Sequence, residues 1–210
     1  MGSPADFMVP SLIDIINIVN TILNTPRIGW IQRGVPQAIA ESVGDHTLLT
    51  SYLALVLCNS ARRVDSNIDA DKCASMALIH DAHEALIGNV GNNVRSLISD
   101  WRDIEVRLFN ELQLPEELTK YFHEYRYALS IEGKIVNLSD KLATLIRACM
   151  YARVGYDMRE LITNYREVVE RLLSELTGDV GQVIKNVVRP IFSWCDDRTI
   201  TNTLGDKPSQ

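Results

Sequence analysis

The chain has 210 residues, of which 46% are apolar and 23% charged, and a formal net charge of −6. That composition excludes a disordered or collagen-like chain, and the acidic balance argues against a nucleic-acid polymer as the main ligand, because such binders carry a basic excess. No apolar stretch reaches membrane-spanning length and the start lacks a secretory leader pattern, so a cytoplasmic protein is expected.

In chain order, Ser11 with Asp14 marks a helix start, Leu12, Ile15, Ile16, Val19, Ile22 and Leu23 follow at helical spacing, and Asn24-Thr25-Pro26 ends it. Residues 27–44 hold Gly29, Gly34 and Pro36 and read as irregular. Asp45 is the expected cap of the next helix, which carries His46 in its first turn and Leu48, Leu49, Tyr52, Leu53, Val56 and Leu57 along it. A helix opening at Asp69 or Asp71 is expected to run to Gly88, and a loop from Gly88 to Asn93 hands over to a long helix over about 94–112. A shorter helical pattern follows at 115–127, and further ones at 131–154, 158–176 and 180–194. Nothing alternates at period two. The expected fold class is therefore all-α, one helical bundle domain over 8–195 with a polar tail over 196–210 of the kind that is often disordered. Cys58, Cys73, Cys149 and Cys195 are widely spaced without a CxxC and read as buried thiols in a reducing compartment.

Residues 78–89 place two histidines and two acids inside an apolar run. Met76, Ala77, Ile79, Leu86 and Ile87 would bury the helix, with His80 and Glu84 one turn apart and Asp81 beside them. Ionisable groups on a buried face persist where a metal, a partner or an ordered network compensates their lost solvation. An adjacent imidazole and carboxylate can both reach one ion. The chain has 4 histidines, His46, His80, His83 and His123, so the search for further ligands is short. His46 opens an apolar helix, and Asp140 lies within another on the face of Val136, Ala143 and Arg147. Taken singly, His46 also reads as a satisfied, partly buried histidine and Asp140 as a helix cap or a partner of Arg147.

Taken together, His46, His80-Asp81 and Asp140 resemble the HD-domain metal-dependent phosphohydrolases over about residues 12–150. The resemblance is closer to their 5′-deoxynucleotidase branch, through Trp30-Ile31-Gln32-Arg33, Glu41-Ser42-Val43-Gly44-Asp45-His46, His80-Asp81-Ala82-His83-Glu84-Ala85-Leu86-Ile87-Gly88 and Asp140. It implies one divalent metal ion, Mn, Co, Fe or Zn, bound by His46, His80, Asp81 and Asp140. It also implies release of phosphate from nucleoside, preferably deoxynucleoside, 5′-monophosphates. Catalysis would fall to Glu84, which handles the proton of the attacking water or the leaving oxygen. Arg33 would neutralise a phosphate oxygen and Trp30 would pack against the sugar, while Arg27 and Arg95 read as surface residues and His83 as a packing histidine. Relatives carry Asp after the glycine that closes the motif, whereas this chain has Asn89, which cannot act as a base but can orient water. That departure keeps open a catalytically weak metal-binding nucleotide sensor, and an HD hydrolase acting on cyclic nucleotides or nucleoside triphosphates. The expected partner is a small-molecule nucleotide, with no nucleic acid polymer and no membrane, and a homodimer is allowed.

Overall fold

Ser11 and Asp14 form a reciprocal capping box, and from it α1 (Leu12–Asn24) runs to the break at Pro26. The computed structural model describes residues 10–196, and these form helices without strands. An isolated bridge pairs Pro26 with Ser42, so the loop holding α2 (Ile28–Ile31) closes on itself. Ser42, not the expected Asp45, is the N-cap of α3 (Val43–Ala61). Asp45 is its capping-box partner at the third position, bonded back to the Ser42 amide at 3.0 Å.

α4 (Ala70–Ile79) starts at the side-chain cap of Asp69 and ends at Ile79, so the expected helix to Gly88 is broken. Over the next residues the backbone tightens to bonds from i to i−3, Ala82 N to Ile79 O, Glu84 N to Asp81 O and Leu86 N to His83 O, each near 3.0 Å. The chain recovers as α5 (Glu84–Ile87) before Gly88, at φ 77, turns it away. The tightening rotates Leu86 and Ile87 out of the core to 52% and 40% exposure, against the expectation that they bury the helix. The long helix expected over 94–112 is likewise divided into α6 (Asn92–Arg95) and α7 (Trp101–Glu111).

α8 (Glu116–Tyr127), α9 (Ile131–Arg153), α10 (Arg159–Glu175) and α11 (Gly178–Asp196) follow the expected order. Asp196 is the last residue of α11, so the expected tail begins one residue later, and 197–210 lie outside the described residues. α9 is the axis of the bundle. Ile135, Val136, Leu138, Leu142 and Leu145 are fully buried, and α3, α4, α8 and α10 pack around it. Each such side chain contributes about 1.5–3 kcal/mol over an exposed one, which fixes the helices that carry polar groups into the centre. The cysteines correct the thiol reading: Cys58 pairs with Cys73 and Cys149 with Cys195, at Cα separations of 6.5 and 5.3 Å. Only the packing of α3 on α4 and of α11 on α9 brings these distant positions together.

Candidate metal centre

α3 contributes His46, the turn after α4 contributes His80 and Asp81, and α9 contributes Asp140. His46 Nε2 lies 3.1 Å from Asp140 Oδ1 and 3.9 Å from Asp81 Oδ2, and His80 Nε2 lies 3.1 Å from Asp81 Oδ2. Ligating atoms of His46, His80 and Asp81 fall within 4.8 Å of one another, and Asp140 joins them through His46. Both imidazoles are fully buried.

The donor set fits a divalent cation. His80 Nδ1–H donates to the Ala77 carbonyl at 2.7 Å, which in the neutral ring leaves the lone pair on Nε2, facing Asp81. That buried nitrogen has no hydrogen-bond partner. Burial, and then the Arg27 guanidinium, push the His46 imidazole down, towards the neutral form that ligates. Burial alone would raise Asp81 and Asp140, but His80 and His46 beside the first, and Lys141 with the same histidines beside the second, hold both carboxyls well below the usual range. Arg27 donates to His46 Nδ1 at 3.0 Å, so the proton of the neutral ring sits on Nε2, toward Asp140. Binding through Nε2 requires that proton to move and Arg27 to rest on Glu41 and Thr144, its other partners.

Glu84 stands beside this centre with its side chain 1% exposed. Asn89 Nδ2 donates to its two carboxylate oxygens at 3.1 and 2.9 Å, and Arg95 Nη2 lies 2.5 Å from Oε1. Burial and Asp81 push the Glu84 carboxyl up, and Arg95 and Asn89 oppose them. Asn89 Oδ1 accepts from Ile28 N at 2.8 Å, so one amide ties Glu84 to the start of α2. Behind Arg95, the buried Glu105 accepts from Arg126 and, at 3.4 Å, from Arg95, with His83 Nε2 at 3.5 Å. His83 is 2% exposed and packs its ring on Phe122, as expected of a packing residue. His123 is exposed and outside the site.

These groups enclose a cavity of about 290 Å³ whose wall includes Arg27, Arg33, Arg95, Arg126 and Lys141. Arg27 and Arg95 are thus site residues rather than surface ones, with side chains 16% and 24% exposed. Four of the five cations already face a carboxylate: Arg27 on Glu41, Arg95 on Glu84, Arg126 on Glu105 and Lys141 on Asp140. Among the described residues no carboxylate pairs with Arg33, which donates to the Gly29 carbonyl at 3.3 Å. Trp30 lines the same wall but is 2% exposed, with its indole nitrogen donating to Glu41 Oε2 at 2.9 Å and its ring against Tyr151. Arg147, an expected partner for Asp140, bonds Glu41 instead at 2.9 Å. Sequence reasoning missed Glu105, Arg126, Lys141 and Tyr125, whose hydroxyl donates to Asp140 Oδ2 at 3.1 Å, and gave Glu41 no role beyond its place in a motif. Glu41 opens a quoted motif and Lys141 adjoins Asp140, and those positions were the one signal available.

An all-helical bundle gathers these histidines and aspartates from α3, the turn after α4 and α9, and the set has the donor chemistry of a candidate divalent-metal site. The model of the HD domain matches residues 19–183, and the chain belongs to the HD domain family. Its relatives include the 5′-deoxynucleotidase HDDC2 of Homo sapiens, 28% identical over 184 residues, covering 80% of this chain and 86% of that protein. The 5′-deoxynucleotidase hdd1 of Schizosaccharomyces pombe is 27% identical over 153 residues, covering 68% and 73%. Among solved structures, a conserved hypothetical protein from Pyrococcus furiosus superimposes with a TM-score of 0.74 at 27% identity, covering 86% of this chain and 99% of that one.

Proposed function

We propose that residues 8–195 form one HD-type unit that hydrolyses nucleoside 5′-monophosphates, deoxynucleosides in preference, with a single divalent ion held by His46, His80, Asp81 and Asp140. The observation that carries the reading is the buried Nε2 of His80, which faces Asp81 Oδ2 at 3.1 Å without a hydrogen bond of good geometry, in the lining of a cavity that also presents Asp140 and Arg33. Imidazole and carboxylate donors suit Mn, Co, Fe or Zn. When bound, such an ion polarises a phosphate oxygen and acidifies water.

The chain supplies the rest. Glu84 takes a proton from the attacking water, because burial and Asp81 raise its affinity for one while Asn89 and Arg95 fix its direction. Arg33, without a carboxylate of its own, offers paired donors to a phosphate oxygen. One uncommitted guanidinium matches a monophosphate better than a triphosphate, whose further charges would need cations that are here already paired. The cavity volume, near the lower end for ligand pockets, agrees with a small nucleotide. Trp30 acts as a fixed wall. Its N–H is committed to Glu41, so a ribose 2′-hydroxyl against the ring finds no partner and loses about 1–3 kcal/mol. Relatives named as 5′-deoxynucleotidases support the same substrate class.

The cytoplasm, where nucleotide substrates occur, is the assigned place. Cys58 and Cys73 are both fully buried, which shields their disulfide from exchange there, while Cys149 is buried and Cys195 half-buried. The test is a panel of nucleotides assayed for free phosphate with several divalent ions. Deoxynucleoside monophosphates are expected to exceed ribonucleotides by roughly ten- to a hundredfold in kcat/KM, and Trp30→Ala to narrow the gap. Equal values for dAMP and AMP in the unmodified protein would remove the sugar-reading role.

A further inference from the structure

Tyr165 stands on α10, beyond the last motif residue, Asp140. Its ring packs against both apolar clusters of the bundle, with Leu161 one turn earlier on the same face, so packing fixes where its hydroxyl goes. Both residues line the cavity, and the Tyr165 hydroxyl accepts from Nδ2 of Asn92, a lining residue on α6, at 3.2 Å. Tyr121, Tyr125, Tyr127 and Tyr151 each donate their hydroxyl proton to a carboxylate or a carbonyl. Tyr165 donates to no group among the described residues, which leaves a proton to offer at the cavity wall.

The surroundings of that hydroxyl decide which ligand atom takes the proton. Burial opposes the charge on Arg27 and Lys141, yet both hold their protons above the ordinary range, Arg27 through Glu41, Asp81 and Tyr165, and Lys141 through Asp140 and Tyr165. Arg27 Nη1 lies 3.0 Å from His46 Nδ1, and Lys141 Nζ lies 2.8 Å from Asp140 Oδ2. The phenol therefore reaches the end of the cavity where the candidate ligands gather. The lining holds five cationic side chains and four carboxylates, and a divalent ion raises the positive excess to three, so the group drawn to that end is the anionic one. An uncharged base finds its match elsewhere on the wall, where the amides of Gln32 and Asn93 gather: a Cβ on Gly91 would lie 2.7 Å from Asn93 Oδ1 and 3.6 Å from Gln32 Oε1. We propose that Tyr165 is a substrate-binding residue whose O–H donates to a non-bridging phosphate oxygen while Asn92 holds the hydroxyl in place, an assignment that rests on the nucleotide reading above. A phenol directs a hydrogen bond at the anion without adding to the positive excess.

Isothermal titration of inorganic phosphate into the Mn-loaded full chain tests this without any turnover. Tyr165→Phe keeps the ring and removes the donor, so Tm should hold while the phosphate Kd rises about ten- to a hundredfold, the worth of a hydrogen bond to a charged group. Asn92→Ala, at an exposed position, frees the phenol to turn away and is expected to cost less, about two- to tenfold. Deoxyadenosine, which lacks the phosphate, should bind wild type and Tyr165→Phe alike. Unchanged phosphate affinity in Tyr165→Phe overturns the proposal, as does a loss confined to deoxyadenosine, which would move the hydroxyl to the sugar or base. Should Tyr165→Phe fail to fold, unchanged affinity in Asn92→Ala overturns it instead. Weakened phosphate binding in a protein that releases phosphate from no nucleotide would remove the substrate reading and leave this assignment standing. Nucleotide hydrolysis together with unweakened phosphate binding in Tyr165→Phe would do the reverse.

Discussion

Asn89→Asp exchanges one atom in the cluster that aims Glu84. The oxygen that accepts from Ile28 N at 2.8 Å is retained, but the nitrogen that donates to both Glu84 oxygens at 3.1 and 2.9 Å becomes a carboxylate oxygen. Two unit charges about 3 Å apart repel by roughly 5 kcal/mol at an effective dielectric of about 20. Arg95, against Glu84 and 24% exposed, and solvent at its edge absorb much of this, leaving about 1–3 kcal/mol, or one to two pKa units. The two acids then hold one proton to a higher pH than Glu84 alone. In the proposed mechanism Glu84 works as the carboxylate that accepts a proton. Rate is lost as pH falls through its pKa, so a raised pKa moves that loss upward. The acid limb of kcat/KM against pH for dAMP is expected to move up by about one to two units in Asn89→Asp, with metal content checked at each pH. Asn89→Ala, which removes the donor without adding charge, is expected to slow the reaction while moving the limb less. An unmoved acid limb in an active Asn89→Asp protein would refute the contact between Asn89 and Glu84 as the source of its orientation.

Glu84→Ala is expected to retain the ion and lose turnover by roughly 10²–10⁴-fold, and unchanged kcat would take Glu84 out of the mechanism. Asp140→Ala should lower bound metal and thermal stability together, since it removes an expected ligand and leaves Tyr125, Lys141 and His46 without their carboxylate. Full stoichiometry by elemental analysis would contradict the ligand assignment. Burial alone would raise Glu105, but His83, Arg126 and Arg95 hold it below its ordinary 4.5, so its contribution to stability is complete above about 4.5 and fades as pH falls through the lower folded value. Glu105→Gln is therefore expected to lower Tm at pH 7 by about 3–10 °C and to flatten the acid-side slope, and an unchanged slope by thermal circular dichroism would sink the assignment. Thiol titration in denaturant is expected to find no reactive cysteine before reduction and four after it. With partners 15 and 46 positions apart in sequence, loop closure assigns the two disulfides about 3 and 4 kcal/mol.

The clustering of the candidate ligands was legible because each sits where a charged or imidazole group is costly. His80, Asp81 and Asp140 interrupt apolar helical runs, and His46 follows a cap signal whose residues are local in sequence. The helix breaks were not legible. Apolar spacing continues from Met76 to Ile87, and only the turn bonds after Ile79 show that Leu86 and Ile87 leave the core. Arg27 was misread because its partners are 14, 19 and 117 residues away, at Glu41, His46 and Thr144, and no local pattern reports such pairing. Arg95 was misread for a related reason, since it turns inward only once α6 has ended before Trp101. Trp30 shows the converse. Its motif pointed to the wall of the cavity, while its burial and its bond to Glu41 show a ring held rigidly by that wall.

The most direct measurement is phosphate release from dAMP by one preparation carried through metal removal and reconstitution. Activity is expected to vanish with the ion and to return with Mn, Co, Fe or Zn at one equivalent per chain, together with a rise in Tm as His46, His80, Asp81 and Asp140 regain their ligand. Release that persists in fully metal-free protein, or its absence with every ion at full occupancy, would contradict the account.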